Sequence, residues 1–181
     1  MNDLALELYR QQTLLSVMTA RMRETAARLE AGNPVDPARV RRALDVHRRF
    51  LLDVHDADEE RIAQAIVAAQ PTTARKVVAE CRAEHPRAEA FLRGAMALLP
   101  GDLSPCSDGR RRLASLFADE ADRIDRHQAW EDEKLHTHLN EWLSPTVRKR
   151  LLDEIRRFNA VRVDAEIALV SWASQLNPSA D

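Results

Sequence analysis

HDADEERIAQAI at residues 55–66 and HQAWEDEKLHTHL at 127–139 decide how this chain folds. Each opens on a histidine followed four residues later by a glutamate, His55/Glu59 and His127/Glu131. A third stretch, EHPRAEAFL at 84–92, repeats the spacing with His85/Glu89. Residues four apart on an α-helix lie about 6 Å apart along its axis and share a face. Each imidazole therefore points the same way as its carboxylate, and in all three stretches that way is the apolar side of the predicted helix. Unpartnered carboxylates are prohibitively costly to bury, whereas one cation at a shared centre neutralises several. His55, Glu59, His85, Glu89, His127 and Glu131 are thus candidate metal ligands. Mixed imidazole and carboxylate donors suit iron, manganese or zinc, and the lack of thiolates in the pattern disfavours soft metals. A single His-x3-Glu pair is as often a surface ion pair. Three of them, on inward stripes of three helices, favour a metal.

On either side of these stretches, the chain reads as helices punctuated by Gly and Pro. Leu4, Leu8, Gln11, Leu15, Met18, Met22, Ala26 and Leu29 recur at steps of three and four, predicting a helix from about Asn2 to Glu30. Asp36 followed by Pro37 is a helix start, and the second stripe runs through Val40, Leu44, Leu51, Val54, His55, Ile62 and Val67. The third stripe is Val78, Cys81, His85, Glu89, Leu92, Met96 and Leu99. Pro86 within it either kinks that helix or marks its beginning. Leu113, Phe117, Ile124, His127, Glu131 and Leu135 define a fourth helix, and Ser144-Pro145 opens another running to about Leu176. The expectation is an all-α fold: an up-down four-helix bundle over 1–143, with an additional C-terminal helix in 144–181 packed on the bundle or at an interface.

Bulk properties narrow the function. Hydrophobic residues are 45 % of the 181, enough for a packed core. A net charge of −2 gives no reason to expect nucleic acid or an anionic membrane as partner. Charged residues at 31 % fit the solvated outer faces of amphipathic helices. Cys81 and Cys106 form neither a CxxC pair nor a zinc spacing, so a reducing compartment is expected. MNDLALELYRQQ does not read as a signal peptide, and no uncharged run approaches the roughly 20 residues of a membrane span. A cytoplasmic location is expected.

The three quoted stretches resemble hemerythrin-like, or HHE cation-binding, domains, whose second and fourth helices carry a His-x3-Glu with further acids. The similarity covers roughly residues 3–160. It implies a non-haem diiron centre, in which Glu59 and Glu131 are bridging carboxylates and His55, His85 and His127 are terminal ligands. Glu89 takes the place that the third helix uses for a second His or a Glu. It also implies handling of dioxygen, nitric oxide or peroxide. One departure stands out: the family's first helix supplies a His, and here ELYRQQ at 7–12 offers Glu7, Tyr9, Gln11 or Gln12 instead. Glu7 and Tyr9 are the candidates to substitute for it. The centre then holds two irons or, if under-coordinated, one, with manganese or zinc less favoured.

The remaining histidines are set aside. His47 is eight residues, about 12 Å, before His55 and reads as a packed or surface side chain. His136 and His138 lie beyond the site, and Trp130, Trp142 and Trp172 read as packing or interface residues. Three functions compete. The first is a binding protein or sensor for a diatomic ligand or peroxide, or an iron store; the second is a di-metal redox enzyme consuming peroxide or oxygen. The third is a metal-free helical module whose Arg-rich C-terminal helix docks a protein partner or a second copy. Binding is favoured over turnover.

Overall fold

The computed structural model describes residues 3–70, 72 and 74–174, and every regular element among them is helical. α1 (Asp3–Glu30) buries the stripe read from the sequence, from Leu4 through Gln11 to Leu29. Gly32 turns the chain out of it at φ 73°, a conformation cheap only without a Cβ. Asp36 then accepts a hydrogen bond from the Ala38 N–H at 2.8 Å and Pro37 fills the first turn, which starts α2 (Pro37–His47).

Beyond His47 the chain departs from the single α-helix expected. α2 passes into a π-helical stretch, Arg48–Asp56, and then into α3 (Ala57–Ala69). The pattern of burial supplies the reason. Between Val46 and Ile66 the buried residues form two rows: Val46, Phe50, Val54, Asp58, Ile62, Ile66 and His47, Leu51, His55, Glu59, Ala63. Both rows step by four. In an α-helix each such step overshoots a turn by about 40°, so the rows would swing away from the core. The wider i→i+5 turns of the π stretch take up the excess and keep both rows facing in.

α4 (Arg75–Leu98) runs through Pro86, so the proline does not mark a helix start. Ser107 caps α5 (Asp108–Lys134) by accepting from the Arg110 N–H at 3.2 Å. A 3₁₀ turn (His136–His138) and α6 (Leu139–Trp142) lead to Ser144, the cap of α7 (Pro145–Ala160). The expected long C-terminal helix is in fact two. The chain turns at Val161–Arg162, where the Arg162 N–H bonds the Asn159 carbonyl at 2.9 Å, and restarts as α8 (Val163–Ser174). Asn159 is also anchored through its side chain, which donates to Asp58 Oδ2 at 2.7 Å. The part of that expectation on 175–181 lies outside the described residues.

α1 and α5 are antiparallel and form the most extensive pairing. Gln12 meets Asp132, Arg23 meets Asp122, and Arg110 meets the carbonyls of Arg28 and Leu29. α4 is antiparallel to α5, with Phe91 edge-on to Phe117 and His85 beside His127. The rod of residues 37–69 in turn runs antiparallel to α4, with His47 against Phe91 and Glu59 against His85. α7 and α8 bridge the rod and α1. Two apolar clusters result. One gathers Leu15, Met18, Phe50, Leu51, Ala88, Phe117 and Ile124; the other gathers Leu4, Leu8, Ile62, Ile66, Val78, Leu135 and Leu139. Among the described residues no helix is long and apolar enough to cross a membrane.

Candidate metal centre

Between the two apolar clusters lies a polar layer to which α1, the rod, α4 and α5 all contribute. On α1 it is Gln11, between Leu8 and Leu15; on the rod His55, Asp58 and Glu59, between Leu51 and Ile62. α4 adds Cys81 and His85, and α5 adds His127 and Glu131, between Ile124 and Leu135. Glu59 is the hub. Its Oε1 lies 3.3 Å from His55 Nε2 and 3.3 Å from His127 Nε2, while its Oε2 lies 3.0 Å from His85 Nε2. Glu131 Oε2 lies 3.7 Å from His55 Nε2. Two sets of donor atoms, each within 4.8 Å of one another, can therefore hold a metal ion: His55, Glu59, His127, Glu131, and Glu59, Cys81, His85, His127.

Hydrogen bonds behind the site fix how His55 presents itself. The Gln11 amide nitrogen donates to Asp58 Oδ2 at 2.8 Å, which leaves its carbonyl oxygen facing His55 Nδ1 at 3.2 Å. An Nδ1–H donating to that oxygen turns the Nε2 lone pair toward the Glu59 and Glu131 carboxylates. Lone pair and carboxylate oxygens repel unless a positive charge, a proton or a metal ion, sits between them. Glu131 makes the case more sharply. It is fully buried, and neither of its oxygens has a hydrogen-bond partner among the described residues. Nitrogen and carboxylate donors converging on an uncompensated charge fit a divalent cation.

The electrostatics agree. Burial pushes hardest on Glu59, toward the neutral form, but His55 and His127 outweigh it and hold the carboxylate well below its ordinary range. Burial likewise opposes charge on His55 and His85, and Glu59 with the nearby aspartates overrides it, so both imidazoles are raised. Asp56, desolvated and then repelled by Glu59, is pushed up to about 6. His127 borders the surface on the side of α4 and α5. A cleft of about 390 Å³ lined by Glu84, Arg87, Arg123, Arg126, His127 and Trp130 opens there, and the Trp130 ring stacks on His127 at 5.9 Å.

Of the residues singled out in the sequence, the structure brings together His55, Glu59, His85, His127 and Glu131. It does not bring Glu89. That side chain is 62 % exposed and paired with Arg93 at 3.3 Å. The stripe of α4 goes from Cys81 and His85 to Ala88, Phe91 and Ala95, so a step of three follows His85 where a step of four was expected. Repeated steps of four drift off an α-helical face. The first-helix substitutes are corrected as well. Glu7 pairs with Arg10 at 2.7 Å, and the half-exposed Tyr9 sets its ring edge-on to His136. Gln11 is what reaches the site from α1, as a support and not as a donor.

Three features escaped the sequence reading. Cys81 stands one turn before His85, a Cys-x3-His spacing that helical geometry alone could have flagged. His47 is buried and within 2.8 Å of Glu120, which also accepts from the Arg123 guanidinium at 2.7 Å. Asp58, next to a candidate ligand, is itself buried by Gln11, Asn159 and Arg61. The chain matches no family model, no curated protein and no solved structure.

Proposed function

We propose that this chain is a hemerythrin-like up-down four-helix bundle carrying a non-haem iron centre, in its fullest form a diiron one, that binds or senses dioxygen, nitric oxide or peroxide. One observation carries the reading: the layer at His55, Glu59, His127 and Glu131 buries two carboxylates, of which Glu131 has no hydrogen-bond partner among the described residues, on four helices whose apolar residues resume on either side. The antiparallel order of α1, the rod, α4 and α5 supports the bundle. Glu59 and His127 belong to both donor sets; the two carboxylate oxygens of Glu59 would let it serve two ions, whereas the single Nε2 lone pair of His127 would serve one. A ferrous ion held there supplies an open position for a diatomic ligand or peroxide. The protein's own part is to present three imidazoles, hold His55 in one tautomer through Gln11, and exclude water with the apolar clusters. The Arg123 and Arg126 side chains line the way in from the cleft.

Metal analysis of protein purified without chelators tests it. A ratio of iron to chain near two supports the full centre, and near one a mononuclear form. A chain free of metal, whose thermal midpoint ignores added ferrous iron, sinks the reading. Steady-state peroxide consumption by the iron-loaded protein would move it from binding to redox turnover. A second copy or protein partner at the C-terminal end belongs with this proposal, since Val161, Val163, Ile167 and Val170 are exposed there.

A further inference from the structure

We propose that Cys81 Sγ is a metal ligand, completing with Glu59, His85 and His127 a four-donor subsite for a borderline-soft divalent ion such as zinc, cobalt or ferrous iron. This rests on the metal reading above and changes what that metal can be. Cys81 is buried, and its Sγ faces the polar layer, 3.9 Å from Glu59 Oε2 and 3.9 Å from His85 Nε2. Both distances are long for a thiol hydrogen bond, yet they suit two donors of one ion. With sulfur at about 2.3 Å and nitrogen at about 2.05 Å from a tetrahedral ion, the donors stand about 3.6 Å apart. Nitrogen and carboxylate oxygen on the same ion stand about 3.3 Å apart by the same geometry. Here His85 Nε2 lies 3.0 Å, and His127 Nε2 3.4 Å, from Glu59 Oε2. All four donor atoms lie within 4.8 Å of one another.

The helices make the arrangement rigid. Cys81 and His85 are one turn apart on α4, so their donors share a face without a loop to order. Glu59 comes from the rod and His127 from α5, both nearly fully buried. On ligation the thiol proton leaves to solvent and the sulfur–metal bond forms in its place, with no change of oxidation state. A thiolate with two imidazoles and a carboxylate shifts preference away from the harder manganese ion.

Cobalt absorption of the full-length protein carrying Cys106→Ser tests this. The chain has two cysteines, so Cys81 is then the one thiol left. After removal of metal with chelator and titration with cobalt, an intense near-ultraviolet thiolate-to-cobalt band is expected, saturating at a fixed equivalence. It should vanish on adding Cys81→Ser; if that double variant does not fold, the single variant still decides. Weak visible ligand-field bands without the near-ultraviolet band would overturn the role of Cys81 and leave the metal reading standing. No cobalt absorption, with no change of thermal midpoint on adding cobalt, would overturn both.

Discussion

Glu131 is where residue-scale physics bears hardest on function. A buried carboxylate with neither oxygen hydrogen-bonded costs stability, and a proton or a cation beside it relieves that cost. Glu131→Leu is therefore expected to stabilise the chelator-treated protein by about 1–3 kcal/mol while abolishing its stabilisation by iron. Thermal melts with and without metal measure both, and a destabilised metal-free variant would mean that protein groups already satisfy the carboxylate. Gln11 acts one step back, holding His55 through Nδ1 and itself held by Asp58. Gln11→Ala should leave the donor set intact but weaken metal binding about 10–100-fold, the usual cost of losing such a support. A competition titration against a coloured chelator reads that directly, and unchanged affinity would show that His55 needs no orienting.

Among the helices, the stripe of α4 separates candidate ligands from bystanders. Because the inward face runs Cys81, His85, Ala88 and Phe91, Glu89→Gln should change stability by no more than about 0.5 kcal/mol and leave metal affinity alone. His85→Ala in the same assay should lower affinity. Equal effects from the two would place both side chains on the site face. Arg110 ties elements together: its buried guanidinium donates to the carbonyls of Arg28, Leu29 and Asn33, satisfying the last turn of α1 from α5. Arg110→Met, of similar length, should cost about 3 kcal/mol by removing the charged donor from all three carbonyls, of which Arg28 and Leu29 keep only a backbone N–H at 3.3 Å. Urea unfolding measures it, and a loss under about 0.5 kcal/mol would show that water replaces the guanidinium freely.

Over the whole molecule, pH acts on His47 and on the pair His55 and His85 in opposite senses. Burial drives the His47 pKa down, with the Arg123 charge adding to it and Glu120 only partly offsetting it. The unfolded chain then binds a proton near pH 6.5 that the folded chain refuses, so stability falls as pH drops below that value. Glu120, whose pKa its partners hold low despite burial, adds to the loss at more acid pH. His55 and His85, raised in the folded chain, pull the other way: their contribution is present at low pH and is lost as pH rises through their folded values. His47→Gln leaves those two in place. The fall in thermal midpoint from pH 7 to pH 5 should thus be smaller in the variant, and parallel curves would show that His47 titrates normally. The helical class, the buried stripes of α1, the rod and α5, and the inward places of His55, Glu59, His85, His127 and Glu131 were legible because 3.6-residue periodicity and four-residue spacing are local. On α4 the expected stripe missed Ala88, Phe91 and Ala95 and included the exposed Met96. Glu89 misled because a spacing of four does not say which of two adjacent faces is buried. The π stretch was written in the four-residue rows of 46–66 but shows only when both rows are known to be inside.

An all-helical chain with histidines and glutamates on inward faces follows from local sequence, since helix propensity, caps and apolar stripes act within a few turns. Packing between helices settled which α1 residue meets His55, that Cys81 reaches Glu59 of the rod, and that the C-terminal segment breaks at Val161 to seat two helices. Those outcomes depend on the rotation and depth at which separate helices pack, and no residue carries that information until its neighbours from distant parts of the chain are in place.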